Sequence, residues 1–205
     1  MGITIQYRGR IDNISDVSRL SKEIEEFARI LGWEIRRWEE NWHLPNSAAI
    51  EKKSDMLELT GHVPIRGVSV IPHPDCEPLF LTFRSNGLMA SSMHMVMMAD
   101  SDIDSADMWL STKTQYSSAE IHAALIRLLK FVKSKYVSNL EVKDDGHFWE
   151  NETMYKLKER FKIIGDAIDS IPVTLNLISK KDLKNRTPEE IADFIEDIIK
   201  KKFRK

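Results

Sequence analysis

Apolar side chains alternate with polar ones at the start of the chain and then change to a helical spacing. Ile3, Ile5 and Tyr7 fall on one face of an extended segment, which predicts a strand with one solvated side. Apolar residues then recur at steps of three and four up to Leu31, and Gly32 stands where a left-handed turn would end a helix. The chain therefore opens with a strand followed by an amphipathic helix.

The next segment, residues 33–43, is rich in tryptophan. Trp33 and Ile35 alternate in one register, while Trp38 and Trp42 fall in the other, and this phase slip predicts a strand with a bulge. Three tryptophans within ten residues exceed what a core needs. We therefore expect Trp38 and Trp42 to line a groove or an interface.

Extended patterns continue from Met56 to Tyr116. Short β-rich runs at 68–71 and 79–83 are separated by prolines, and Ser85-Asn86-Gly87 predicts a turn with a positive φ at its glycine. The methionine-rich stretch 89–98 is interpreted as a further strand, with Met95 in the core or in a methionine-lined ligand pocket. A soft-metal site with His94 is the remaining alternative. Successive strands without helices between them predict antiparallel pairing.

Helical spacing returns after residue 116. Ser117 or Ser118 would cap a helix that carries a half-buried, hydrogen-bonded His122, and residues 140–142 predict a short edge strand. A third helix follows Gly146 and should close at Pro172. The pattern predicts an α+β domain over residues 1–178, with a mainly antiparallel sheet and helices packed on one face.

The last part of the chain forms a separate pattern. Residues 179–186 are polar and basic, and Thr187-Pro188-Glu189-Glu190 combines the features of a helix start. Residues 179–205 are therefore predicted to be a linker and an amphipathic helix, docked on the domain or exchanged with a neighbouring copy. The exchanged form would make the protein a homo-oligomer.

Composition and charge narrow the classes of protein. The chain has 205 residues, 42% of them hydrophobic, with a net charge of −2 and one cysteine, Cys76. No apolar run approaches the ~18 residues of a membrane span, and no secretory signal is visible. These features predict a cytoplasmic protein without a membrane partner. The near balance of charge argues against nucleic-acid binding, although the basic residues 200–205 keep a weak nucleic-acid binder as an alternative.

The turn before the third helix carries the most candidate chemistry. In Asp144-Asp145-Gly146-His147-Phe148-Trp149-Glu150, His147 is a possible proton carrier, Glu150 a general base or metal ligand, and Trp149 a stacking wall. The favoured alternative is structural: the two aspartates build the turn, Trp149 packs, and Glu150 or Asn151 caps the helix.

This stretch resembles a group of uncharacterised prokaryotic proteins. Their sequences run aspartate, acid, glycine, any residue, aromatic, tryptophan, glutamate at this point, and the resemblance covers about a quarter of the chain, from Thr112 to Phe161. It implies no activity, because none is known for the group. It adds weight to Trp149 and Glu150 as residues to test.

A second candidate lies in the loop Pro72-His73-Pro74-Asp75-Cys76. His73, Asp75 and Cys76 are residue types that bind zinc, but a structural zinc site usually has a second ligand pair, and the chain has no second cysteine. A proline-stiffened loop between two strands is the favoured interpretation, and these residues rank low as metal ligands.

The motifs taken together favour a binding protein over an enzyme. The sequence contains no phosphate-binding glycine loop, dinucleotide fingerprint, nucleophile elbow or H-E-x-x-H pair. We therefore expect a non-catalytic binding or protein-interaction domain without a cofactor, whose ligand the sequence does not reveal. The alternative is a small metal-assisted hydrolase that uses His73, Asp75, His147 and Glu150.

Overall fold

Strands and helices largely follow one another in the order that the sequence patterns predict. The exceptions are a strand at Ala49–Lys53 that no pattern predicts, a helix within residues 89–98, and the division of the third predicted helix. The structure is a computed structural model that describes residues 2–54, 56–100 and 108–177. Its strands are β1 (Thr4–Arg8), β2 (Glu34–Glu39), β3 (Ala49–Lys53), β4 (Met56–Thr60), β5 (Arg66–Ile71), β6 (Leu79–Phe83), β7 (Leu110–Lys113) and β8 (Glu141–Asp144). Its helices are α1 (Val17–Leu31, after a 3-10 turn at Ile14–Asp16), α2 (Ser92–Asp100), α3 (Ala119–Lys135), α4 (Phe148–Asn151) and α5 (Met154–Leu177).

The first sheet has β1 at its centre. β7 and β8 pair with β1 on either side, both antiparallel, so β8 is the edge strand that the sequence predicts. Ile5 and Tyr7 are fully buried and Gln6 is exposed, which confirms the predicted alternation. The N-terminus of α3 is capped as predicted, since Ser118 Oγ accepts a hydrogen bond from the Ile121 N–H.

The second sheet has the order β2-β5-β6, also antiparallel. α1 lies against β2 and β5 and ends at Gly32, whose φ of 68° confirms the predicted left-handed stop. Residues directly opposite in a sheet share a face. The register pairs Glu39 with Arg66 on one face and Trp38 with Gly67 on the other. The α+β class with antiparallel sheets is thus confirmed, with the strands of the described residues divided among this sheet, the β1 sheet and the β3–β4 hairpin.

A cluster of buried apolar side chains contains Trp38 and connects the second sheet to α2. Its members are Trp38, Ala48, Val63, Ile65, Ala90 and Met95. Met95 comes from α2, which begins at Ser92, so the strand predicted for residues 89–98 is wrong; of this stretch, Met89 makes an isolated β-bridge, with Phe83. A short, mainly apolar run does not distinguish a strand from a buried helix by periodicity. Here Ser91 decides the matter, because its Oγ and its carbonyl oxygen accept hydrogen bonds from the N–H groups of His94 and Met95.

The third predicted helix is divided and longer than expected. The short α4 ends at Asn151, and α5 continues through Pro172 to Leu177, so the prediction that Pro172 closes the helix is wrong. A proline removes one backbone hydrogen bond inside a helix but does not by itself end it.

The chain divides into two compact units, residues 1–157 and 158–205. The linker and amphipathic helix predicted for residues 179–205, together with the basic residues 200–205, lie outside the described residues. The domain boundary predicted after residue 178 therefore stays a prediction. Among the described residues, no helix is both long enough and apolar enough to cross a membrane.

Candidate functional site

A pocket of about 410 Å³ lies between the start of α1 and the second sheet. We call it the Trp42 pocket. The residues that matter for its chemistry are Ser15, Ser18, Arg37, Trp38, Trp42 and Arg66. The structure therefore places both tryptophans of the predicted groove in the lining of the same pocket.

Both indoles of the Trp42 pocket are held by hydrogen bonds. Trp42 Nε1 donates to the carbonyl oxygen of Phe83 at 3.1 Å, and Trp38 Nε1 donates to Ser69 Oγ at 3.1 Å. Trp38 is 6% exposed, and its ring belongs to the buried cluster on the sheet face opposite to Glu39 and Arg66. The half-buried Trp42 therefore provides the aromatic wall of the pocket. An aromatic wall whose orientation is fixed before binding loses little entropy when a ligand arrives.

The two arginines of the pocket differ in their surroundings. Arg37 Nε lies 2.8 Å from Glu39 Oε1, and Arg37 Nη1 lies 3.4 Å from Glu25 Oε1, so its charge is compensated. Arg66 Nε donates to the carbonyl oxygen of Glu40 at 2.7 Å, and its guanidinium lies 4.8 Å from the Trp42 ring centroid. Within the described parts of the chain, no carboxylate forms an ion pair with Arg66.

Trp149 lines a second, shallow cleft of about 500 Å³ with Lys130, Lys133 and two serines. The Lys130 ammonium lies 5.5 Å from the Trp149 ring centroid and is bound to Glu152, while Lys133 donates to the carbonyl oxygen of Leu140. The cations of this cleft are therefore already engaged by protein groups.

His147 and Glu150 are neighbours but lie outside the lining of the Trp149 cleft. His147 Nδ1 is 4.0 Å from Glu150 Oε2, and both side chains are more than half exposed. The proton-carrier and general-base roles that the sequence suggests would need a substrate bound on an open surface. Asn151 Oδ1 accepts from the Thr153 N–H, which belongs to the turn before α5 and not to the helix, so Asn151 shapes this turn and does not cap α5 as predicted.

Asp144 builds the turn, as the structural interpretation expects. Its Oδ1 accepts from the Gly146 N–H, and its Oδ2 accepts from the N–H groups of Phe148 and Trp149 at the start of α4. The same Oδ1 lies 2.9 Å from His122 Nε2, and His122 Nδ1 lies 2.7 Å from Thr114 Oγ1. His122 is fully buried rather than half-buried as expected.

This chain of Thr114, His122 and Asp144 has the order of a hydroxyl, an imidazole and a carboxylate, but it is closed to solvent. Thr114 and His122 are 0% exposed and Asp144 is 6% exposed. Burial by itself raises the pKa of the Asp144 carboxyl, but the hydrogen bond and charge of His122 and the turn N–H groups outweigh it and hold that pKa below its ordinary value. The arrangement ties α3 to the β8–α4 turn and gives a substrate no access.

The proposed zinc loop keeps two of its residues together. His73 Nδ1 lies 3.6 Å from Asp75 Oδ2 and accepts from the Asp75 N–H, while Cys76 is buried with its Sγ directed to the Glu77 carbonyl oxygen. Among the described residues, no group of three or more His, Cys, Asp and Glu side chains is placed to hold a metal ion. No observation in the described part of the chain therefore favours the hydrolase that joins His73 and Asp75 to His147 and Glu150.

An apolar groove of about 260 Å³ lies between α1 and α3. Phe27, Leu31, Trp33, Leu128 and Phe131 line it, together with Arg127 and Ala124. Ile30, on α1 beside these residues, is 74% exposed. The apolar surface thus extends beyond the groove.

Sequence reasoning found the aromatic part of the Trp42 pocket and missed its polar part. Arg37 lies in β2 and Arg66 opens β5, its neighbour in the sheet, and an arginine at such a position carries no signal of a pocket. The serines precede or begin α1, where they look like ordinary capping residues. Nothing in the sequence indicates that His122 pairs with Asp144, because the two residues are 22 positions apart in the chain.

No protein-family model, curated protein or solved structure matches this chain. The resemblance of residues 112–161 to a prokaryotic group therefore stays a prediction.

Proposed function

We propose that this protein is a non-catalytic binding domain and that a small planar molecule binds in the Trp42 pocket. The observation that carries the proposal is the Trp42 indole in the pocket wall, held by its hydrogen bond to the Phe83 carbonyl oxygen and lying beside the Arg66 guanidinium. The volume of about 410 Å³ lies in the ordinary range for small-molecule sites, which is roughly 300–1,000 Å³.

The lining of the pocket supports binding rather than catalysis. Glu39 is the one carboxylate among the lining residues that the structure describes, and it is engaged by Arg37. These lining residues include neither a histidine nor a cysteine. The groups that remain are indoles, hydroxyls and guanidiniums, which position a ligand without carrying protons at neutral pH.

The test is ligand-observed NMR with a panel of small planar probes: benzyl alcohol, benzoate and phenyl phosphate. We expect saturation transfer to at least one probe, and loss of that signal in Trp42→Ala. Trp109→Ala is the matched control, because Trp109 packs between Arg8 and Lys143 on the first sheet, outside the pocket lining.

A second variant distinguishes a loss of binding from a folding defect in Trp42→Ala. Ser18→Phe would fill the pocket while leaving Trp42 in place, and we expect it to abolish probe binding with an unchanged urea unfolding midpoint. Probe binding that survives both variants would refute the proposal, as would the absence of binding by every probe.

The apolar groove favours a second function, self-association with another copy of this chain. Phe27 is 40% exposed, Leu31 is 52% exposed and Ile30 is 74% exposed, an unusual concentration of large apolar side chains on one helix end. Sedimentation velocity tests it: Ile30→Glu should convert a concentration-dependent dimer to a monomer. Leu57→Glu is the matched control, because Leu57 is also 74% exposed but lies on the β3–β4 hairpin. A wild-type protein that stays monomeric at high micromolar concentration would exclude this function.

We propose the cytoplasm as the compartment. Support comes from Cys76, which is free and buried, as is usual for proteins of a reducing compartment.

A further inference from the structure

We infer that the ligand of the Trp42 pocket carries an anionic oxygen group and that Arg66 binds this group. The inference rests on the proposed function of the pocket, and it adds the chemical class of the ligand. Carboxylates and phosphates share this chemistry, so the experiment below includes both.

The first argument is the state of the Arg66 side chain. Its Nε is committed to the carbonyl oxygen of Glu40, which orients the guanidinium and leaves its terminal nitrogens for another partner. A guanidinium offers its N–H groups in a plane and can bind two oxygens of one carboxylate or phosphate side by side. Arg66 is therefore oriented before the ligand arrives.

The second argument is the charge around Arg66. Glu39 lies opposite Arg66 in the β2–β5 pairing, but its carboxylate is engaged by Arg37 at 2.8 Å. The carboxylate of Glu40 lies 3.4 Å from His62 Nδ1, directed away to another partner. Neither of these two acids forms an ion pair with Arg66 in the described residues, so its charge is the one that a ligand would neutralise.

The third argument is the position of Trp42. The guanidinium of Arg66 lies 4.8 Å from the centroid of this ring, close enough for a cation–π interaction that holds it at the pocket wall. A planar ligand with an oxyanion could thus place its ring along the Trp42 indole and its charge on Arg66. Ser18 lines the same pocket and adds a hydroxyl donor, whereas the hydroxyl of Ser15 already donates to Asn13 Oδ1.

Isothermal titration calorimetry with three probes of similar size tests the inference. Benzoate carries a carboxylate, phenyl phosphate carries a phosphate, and benzyl alcohol is neutral. We expect at least one anionic probe to bind the wild-type protein roughly tenfold or more tightly than benzyl alcohol. The anionic probe that binds more tightly shows whether the charged group of the ligand is a carboxylate or a phosphate. Inorganic phosphate should bind more weakly than phenyl phosphate because it lacks the ring.

Variants of Arg66 then separate its charge from its shape. Arg66→Gln should lower the affinity for the anionic probe to that for benzyl alcohol and leave benzyl alcohol unaffected. Arg66→Lys should retain part of the preference, since it keeps the charge but not the planar donor pair. Arg36→Gln is the matched control: Arg36 also lies over a tryptophan, 4.0 Å from the Trp38 ring centroid, but is outside the pocket lining.

The outcomes distinguish this inference from the proposal on which it rests. One outcome is that benzyl alcohol binds as tightly as the anions, with no change of any affinity in Arg66→Gln. In that case the role assigned to Arg66 is wrong, but the Trp42 pocket still binds small planar molecules as proposed. If inorganic phosphate binds as tightly as phenyl phosphate, the ring does not contribute to binding, and the claim that the ligand is planar is wrong. If no probe binds, both the proposed function of the pocket and the inference about Arg66 are refuted.

Discussion

His122 Nε2 lies 2.9 Å from Asp144 Oδ1, and both side chains are wholly shielded from solvent. Through this contact a residue of α3 holds the carboxylate that organises the turn between β8 and α4. The pair lies in the stretch for which sequence reasoning considered chemistry at His147 and Glu150. Its geometry gives that stretch a structural role.

Replacement of His122 should destabilise the protein strongly. His122→Leu removes the donor to Asp144 and leaves a buried carboxylate with its turn N–H groups alone. Removal of the hydrogen-bonding partner of a buried carboxylate costs about 3 kcal/mol or more. Urea unfolding followed by circular dichroism measures this change. His73→Leu, on an exposed histidine, should stay within about 0.5 kcal/mol of wild type. A loss below about 1 kcal/mol for His122→Leu would contradict the structural role.

Acid should weaken the fold through Asp144. The pKa of this carboxyl is lower in the folded protein than its ordinary value of 3.8. A group with a lowered pKa in the folded state contributes stability that is full above its unfolded-state pKa and is lost as the pH falls through the folded-state pKa. Asp144 should therefore contribute its full share to the free energy of unfolding near neutral pH. This contribution should decrease progressively below about pH 4.

Asp144→Asn provides the comparison for this pH dependence. The variant should be less stable than wild type at neutral pH, and the difference between the two proteins should shrink as the pH is lowered from about 7 to about 3. Urea unfolding at a series of pH values gives both curves. A difference that stays constant over this range would show that Asp144 does not contribute through its charge.

Gly67 should not tolerate a side chain. Its φ is +134°, and a Cβ atom added there would lie 2.2 Å from the carbonyl oxygen of Leu81 in the neighbouring strand. We expect Gly67→Ala to cost at least about 3 kcal/mol, because the backbone conformation and the contact are both unfavourable. Gly32→Ala is the graded control: its φ is +68° but no atom lies within 4 Å, so the cost should be about 1 kcal/mol. Equal losses in the two variants would mean that the close approach of β6 has no energetic effect.

Cys76 should be inert in the native protein. Burial, and secondarily the charge of Glu77, raises the pKa of its thiol to about 12, so the reactive thiolate is scarce at neutral pH. A disulfide reagent that releases a coloured thiolate should react slowly with the native protein and rapidly in urea. Fast native labelling would contradict the buried position and would return Cys76 to consideration as a metal ligand.

Local patterns anticipated those elements whose signals are complete within a few residues. The alternation around Ile5, the stop at Gly32 and the cap at Ser118 were predicted correctly, because each depends on backbone geometry that neighbouring residues control. The stretch 89–98 was mispredicted, since a short, mainly apolar segment fits either type of element; the hydrogen bonds to Ser91 and the packing of Met95 against Trp38 and Ile65 show that residues 92–98 belong to a helix.

The sequence by itself determined the α+β class, the order of most elements and the concentration of tryptophan after α1. Tertiary structure alone decided which side chains meet: Arg66 with Trp42, and His122 with Asp144. The physical reason is that periodicity specifies which face of an element is buried, whereas strand register and helix packing determine which distant residue lies opposite. A pocket or a buried polar network is formed by such distant residues, so it has no local signature in the chain.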